Sequence, residues 1–213
     1  MTNIQINQDF IQTLVSAWTL VLTCLTIFLI FKMRYLSNLG TSLDTHFQCF
    51  GHISDLENAI LNIQRAVSLT DDNHPSKSVY LLNLENSQNT RFKHLHEPAD
   101  QVASISSLKA VAQSNTAYPH YALLAARQEA DISYSNGDIA CALEGYRTAL
   151  KLLPKVAWLG LNTSSHQKWL LQEVPENLGC LAATCAIQVG HLEEAVELLD
   201  LSHSVFWQQA SLL

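Results

Sequence analysis

Between Phe10 and Phe31 the chain carries no charged residue, no glycine and no proline across a run of 22 positions. After it the pattern changes. Leu36, Leu39 and Leu43, followed by Phe47 and Phe50, recur at steps of three and four, the spacing of one helical face. Gly51-His52 interrupts this helix, which runs to about Cys49. Ser54-Asp55-Leu56-Glu57 reads as a capping start for a second helix, whose apolar stripe is Leu56, Ala59, Ile60, Ile63, Ala66, Val67 and Leu69. The polar, proline-containing turn Asp71-Asp72-Asn73-His74-Pro75 closes that hairpin. No stretch sustains period-two alternation, so the expected fold class is all-α.

The hairpin recurs. Tyr35-Leu-Ser-Asn-Leu returns 45 residues later as Tyr80-Leu-Leu-Asn-Leu, and the offset holds for Ser42/Ser87, Thr45/Thr90, Phe47/Phe92, Asp55/Asp100 and Ile60/Ile105. A period of this length marks stacked helical units, none of which buries its apolar face alone. The second block is expected to place Leu81, Leu82, Leu84, Phe92 and Leu95 on its first helix, with Val102, Ile105, Leu108 and Val111 on its second. It has diverged: Glu85 replaces Gly40, and Pro98 replaces Ile53, which requires Pro98 to lie near a helix start. A third unit shows in Ser135-Asn-Gly-Asp138, Ala142, Tyr146, Ala149 and Pro154, and a fourth in Gly190, Ala195 and Leu199. Between them Trp158, Leu159, Leu161 and Trp169 are expected to pack the helix containing Asn177 to Val189 against the preceding hairpin. The chain divides on this reading into an N-terminal segment, 1–34, and a helical repeat domain, 35–213.

These residues resemble a tetratricopeptide repeat protein. The stretch from Gly137 through Ala142, Tyr146 and Ala149 to Pro154 is similar to the second half of that family's pattern: a turn glycine, a small residue where two helices meet, an aromatic knob, a second small residue and a terminal proline. Gly190, Ala195 and Leu199 fall in the same frame, with Ser202 in the second small position, and Ala59 and Ala66 keep the seven-residue separation. The resemblance implies a solenoid of helical hairpins with Ala59, Ala66, Ala142, Tyr146, Ala149 and Ala195 as packing positions. More narrowly, the two 45-residue blocks, Leu153-Pro-Lys-Val-Ala-Trp-Leu-Gly-Leu161 and the stretch from Glu194 to Trp207 resemble the repeat regions of large fungal proteins that carry a caspase-related CHAT domain. His203 stands where those proteins more often have Arg. The CHAT domain itself has no counterpart here, so the resemblance implies no protease activity.

The first segment changes the functional picture. A run of 22 apolar residues exceeds the length of about 20 that a helix needs to cross the hydrocarbon core, so a transmembrane helix is expected at about 10–31. Asp9 precedes it and Lys32 and Arg34 follow it, which places everything after Arg34 in the cytoplasm. A secretory signal peptide fits less well, because no Lys or Arg precedes Phe10 and the run is longer than about 7 to 15 residues. Two other readings stay open: a core helix moderated by Thr13, Thr19, Thr23 and Thr26, and a segment foreign to the repeats it precedes. Without insertion the protein would be soluble and cytoplasmic.

Composition excludes more than it assigns. Of 213 residues 48% are hydrophobic, enough for a substantial core. With 12 Lys+Arg against 19 Asp+Glu the net charge is −7, so there is no basic field for nucleic acid. The five cysteines are odd in number and lack a CxxC pair, which fits reduced thiols, and Cys180 and Cys185 diverge by about 140° on a helix. His94 and His96, two apart, face different directions on a helix and could chelate only from a loop or extended segment, and no metal site is expected there or at His46 with His52. Cys141 and Cys49 sit on packing faces outside any nucleophile motif, the seven glycines form no phosphate loop, and Asp71-Asp72 and Glu193, Glu194 and Glu197 read as solvated acidic surface. No catalytic residue and no cofactor is expected. Arg65, Arg127 and Arg147 are the candidate groove contacts, since a guanidinium suits carboxylate recognition. The expectation is a non-catalytic, membrane-anchored scaffold whose partner is another protein or peptide; the alternative is a truncated fragment of a CHAT-domain regulatory protein.

Overall fold

The computed structural model describes the backbone over residues 2–157 and 177–210, with side chains over 12–156 and 177–204. Within that range every regular element is an α-helix: α1 (Thr2–Phe50), α2 (Ile53–Leu69), α3 (Lys77–Leu95), α4 (Pro98–Ala112), α5 (Pro119–Ser135), α6 (Ile139–Ala157), α7 (Leu178–Val189) and α8 (Leu192–Ala210). The helices pair as α1 with α2, α3 with α4, α5 with α6 and α7 with α8. Two compact units result, Met1–Thr70 and Asp71–Leu213. The aromatic stretch Trp158, Leu159, Leu161 and Trp169 lies outside the described residues.

In the first unit α1 runs unbroken through Arg34 and Tyr35. Its buried residues are Met33, Ser37, Gly40, Asp44 and Phe47, at alternating steps of four and three, facing Leu56, Ala59, Ile60, Ile63 and Ala66 of α2. The expected stripe is therefore displaced: Leu36, Leu39 and Leu43 flank the seam half-buried and Phe50 is exposed. The cause is close approach. A Cβ on Gly40 would overlap the Ile63 side chain and come within 3.0 Å of the Ala59 carbonyl, so small residues occupy the contact line and large ones its margins. Among the described residues nothing covers α1 above this seam. Trp18, Leu20, Val21, Phe28 and Phe31 are all more than half exposed. Burial begins only at Met33, whose Sδ lies 3.0 Å from Thr70 Oγ1 at the far end of α2. α1 is thus long and apolar enough to cross a membrane, a test of length and composition that a signal sequence also passes.

The second unit opens with the hairpin that repeats the first, and the offset of 45 is carried into the geometry. α1 ends at Phe50 and α3 at Leu95; α2 starts at Ile53 and α4 at Pro98. Pro98 therefore occupies a first-turn position, where a missing N–H costs nothing. Gly51 and His96 hold the same left-handed turn, with φ +75° and +55°. The capping box read at Ser54 does not form, because the left-handed turn starts α2 already at Ile53 and Asp55 is drawn to His46, whose Nδ1 lies 2.7 Å from its Oδ2. The equivalent pair is Arg91 with Asp100, joined by Nε donating to Oδ2 at 2.8 Å and by a second bond from the terminal nitrogen to Oδ1. A two-pronged pair on a nearly buried carboxylate is the stronger form of this tie.

Beyond it α5 and α6 enclose the main core with α7 and α8. Ala142, Tyr146 and Ala149 are buried, as are Ala182, Ala183, Cys185, Ala186 and Ala195. A Cβ on Gly145 would meet Ala130 Cβ at 2.8 Å, the same small-residue contact as in the first hairpin. Pro154 does not terminate α6, which continues to Ala157 within the described residues.

His96 pays for its conformation where Gly51 does not, since a β-carbon crowds the left-handed region by about 1 kcal/mol. His96→Gly should raise the stability of the second unit by about 0.5–1 kcal/mol, seen as a higher unfolding midpoint, while Gly137→Ala should lower it by a similar amount. Gly40→Leu should destabilise the α1–α2 hairpin by about 1–3 kcal/mol in thermal unfolding, since Ile63 would have to leave its rotamer.

Candidate functional site

The second hairpin is built differently from the first along its contact line. Where Gly40 meets Ala59 in the first hairpin, the residues 45 positions later are Glu85 and Ser104, and Ser104 Oγ donates to Glu85 Oε1 at 3.2 Å. Ser78, Ser87, Gln88 and Ser107 are buried with them. The leucine stripe expected here is thus partly outward: Leu84 is buried and Leu81 and Leu82 pack toward Leu108, Val111 and Ala125, but Leu95 and Val102 are 41% and 67% exposed. With polar residues on the contact line, joined by the Ser104–Glu85 and Ser107–Gln88 bonds, the apolar side chains pack sideways on α5. Burial pushes the Glu85 carboxyl above the ordinary carboxylate range, against a smaller opposing effect of the Ser104 bond and of Lys93. Burial likewise raises Glu129, which faces Lys109 Nζ at 3.5 Å.

On the outer side of this hairpin a shallow groove of about 260 Å3 runs where α3, α4 and α5 meet, entirely within the second unit. Asn89, Phe92 and Lys93 come from α3, Gln101 and Ser104 from α4, and Asp131, Ile132 and Ser135 from α5. Spacings of three and four put each set on one helical face. Phe92 and Ile132 supply the apolar lining. Gln101 Nε2 donates to Asn136 Oδ1 at 3.0 Å, tying the start of α4 to the end of α5. Asp131 accepts from the Tyr146 hydroxyl at 2.7 Å and stands 3.6 Å from Arg127 Nε. Burial and that carboxylate push the Tyr146 phenol well above its ordinary value, so it acts as a fixed donor. Amide and hydroxyl groups around an apolar lining, with Lys93 and Asp131 as opposite charges, can hold a polypeptide.

Of the three arginines singled out from sequence, Arg127 and Arg147 lie in the second unit and face different carboxylates. Arg65 is exposed on α2, in the first unit. Arg127 is half-buried behind the groove, oriented to Asp131. Arg147 links α6 to α8: it pairs with Glu144 and donates from Nε to Glu194 Oε1 at 2.6 Å, while His191 Nδ1 lies 3.1 Å from Glu194 Oε2. These partners hold the Glu194 carboxyl below the ordinary range. The groove residues Asn89, Phe92, Gln101 and Ile132 carry no local sequence signal, because three helices separated by loops bring them together. Cys141 is held by Asp138, whose carboxylate caps α6 by accepting from the Cys141 N–H at 3.1 Å; that neighbour, then burial, pushes the thiol up and disfavours the reactive thiolate. Cys49 is exposed.

No protein-family model matches the chain, and no curated protein matches it. The tetratricopeptide and CHAT-associated likeness therefore rests on the motif residues alone.

Glu85 gives a prediction with a definite sign. Its raised value means that folding favours the neutral acid, so the stability it contributes is full below the unfolded carboxylate value and is lost as pH rises through the folded one. Glu85→Gln should raise the unfolding midpoint of the second unit by a few degrees at neutral pH, and the gap to the parent should close as the medium is acidified.

Proposed function

We propose that this chain is a membrane-tethered, non-catalytic helical-repeat scaffold that holds a segment of another protein in the α3–α4–α5 groove. One observation carries the tether. Among the described residues nothing covers the apolar part of α1, which remains in one helix with the packed hairpin, an arrangement that is costly in water and favourable in hydrocarbon. Its polar atoms support the same reading. The hydroxyls of Ser16, Thr19, Thr23 and Thr26 each donate to a carbonyl three or four residues back, so none needs water. The twenty residues from Gln12 to Phe31 make a helix about 30 Å long, the thickness of the apolar core. Lys32 and Arg34 then favour a single-pass topology with the hairpins in the cytoplasm.

The tetratricopeptide-like reading of the hairpins is supported by the buried small residues Ala142, Ala149 and Ala195 and by the left-handed turns at Gly137 and Gly190. A repeat scaffold that presents a groove between successive hairpins binds extended or helical segments, with side-chain amides meeting the partner's backbone.

A tagged full-length chain should stay in the membrane pellet after alkaline carbonate washing, and release into the supernatant would remove the tether. For the groove, a photo-crosslinking residue placed at Asn89 should give a discrete adduct in cells that Ile132→Asp abolishes. An adduct indifferent to that change would place the partner elsewhere.

A further inference from the structure

The last described hairpin, α7 with α8, repeats the α5–α6 hairpin at an offset of 53 residues. α6 spans Ile139–Ala157 and α8 spans Leu192–Ala210, and Gly190 takes the left-handed turn of Gly137, with φ +90° and +79°. At this offset Tyr134 corresponds to Ile187, Ile139 to Leu192 and Leu143 to Val196. On the third hairpin these positions are covered: Leu143 is buried, and Tyr134 and Ile139 pack against the core that α6 shares with α7 and α8. On the fourth they are open. Ile187, Leu192 and Val196 are 56%, 64% and 67% exposed, with Val189 beside them at 40%. The face on which the third hairpin receives its successor is therefore presented again by the fourth, without cover among the described residues.

The helical spacing of Leu192 and Val196 and the helical nature of what covers the equivalent positions point to a helix as occupant. Charge selects which kind. Glu193, Glu197 and Asp200 are exposed beside this apolar patch on α8 and have no ion-pair partner among the described residues, whereas Glu194 is already held by Arg147 and His191. A second copy meeting this face symmetrically would set carboxylates against carboxylates, which disfavours association. We propose that the α7–α8 face docks an amphipathic helix of another protein whose apolar stripe is flanked by Lys or Arg. This site is separate from the α3–α4–α5 groove and does not depend on it.

The test uses the full chain in zwitterionic nanodiscs and two synthetic amphipathic helices of about 18 residues, one with leucine and lysine, the other with leucine and glutamate. Binding is read by fluorescence anisotropy, with empty discs subtracted. The lysine peptide should bind at least about tenfold more tightly than the glutamate peptide, Glu193→Lys with Glu197→Lys should reverse that preference, and Leu192→Asp with Val196→Asp should weaken binding about tenfold. All the substituted residues are exposed, so the variants should fold. Phe92→Ala, in the groove, should leave the binding unchanged. Equal affinity for the two peptides, or binding that survives Leu192→Asp with Val196→Asp, would overturn the proposal. So would a dimer that displaces the lysine peptide and is dispersed by the same double substitution, since the occupant would then be a second copy.

Discussion

Helices in this protein approach each other along lines of small residues, and most other features follow from that distance. Gly40 has no room for a β-carbon against Ile63, Gly145 none against Ala130, and Gly179 none against Ser202. Once backbones are that close, large side chains cannot occupy the contact line. They move to its edges, where Leu36, Leu39 and Leu43 lie half-buried in the first hairpin. The core is correspondingly rich in alanine, with Ala126, Ala130, Ala142, Ala149, Ala182, Ala183 and Ala186 interleaved with leucine, Tyr146 and Val156.

The second hairpin keeps the turn and changes the contact line. Gly51 and His96 share a left-handed turn, and His46–Asp55 and Arg91–Asp100 tie the equivalent helix ends. The turn and the tie fix where two helices start relative to each other, so the line between them can be rebuilt. Glu85 with Ser104 replaces Gly40 with Ala59, hydrogen bonding substitutes for close packing, and leucines released from the seam pack toward α5. The groove beside α3 and α4 is a consequence of that exchange, since Ser104 belongs both to the seam and to the groove lining.

α1 places two environments in one element. Its lower part is covered by α2 from Met33 to Phe47, and its upper part, continuous with it, is apolar without cover. Helical hydrogen bonding satisfies the backbone equally in water, protein or hydrocarbon, which is why no break is needed between the two parts. Arg147 plays a comparable joining role in the second unit, holding α6 to α8 through Glu194; as an isolated arginine in the sequence it looked like a surface charge available to a ligand.

The sequence by itself determined the helical class, the hairpin turns, the 45-residue repetition and the apolar length of the first segment. These depend on periodicity, on Gly and Pro positions and on run length, all of which are local. It also marked Ala142, Tyr146, Ala149 and Ala195, which are buried. Only the tertiary structure decided which residues lie on the contact line and which beside it, because a three- and four-residue rhythm is shared by adjacent faces of the same helix and the interhelical distance chooses between them. It likewise decided that Arg127 and Arg147 face carboxylates of their own chain, and that Phe92, Gln101 and Ile132 meet at one groove, since such neighbours are set by packing across many residues and leave no mark on the sequence around each one.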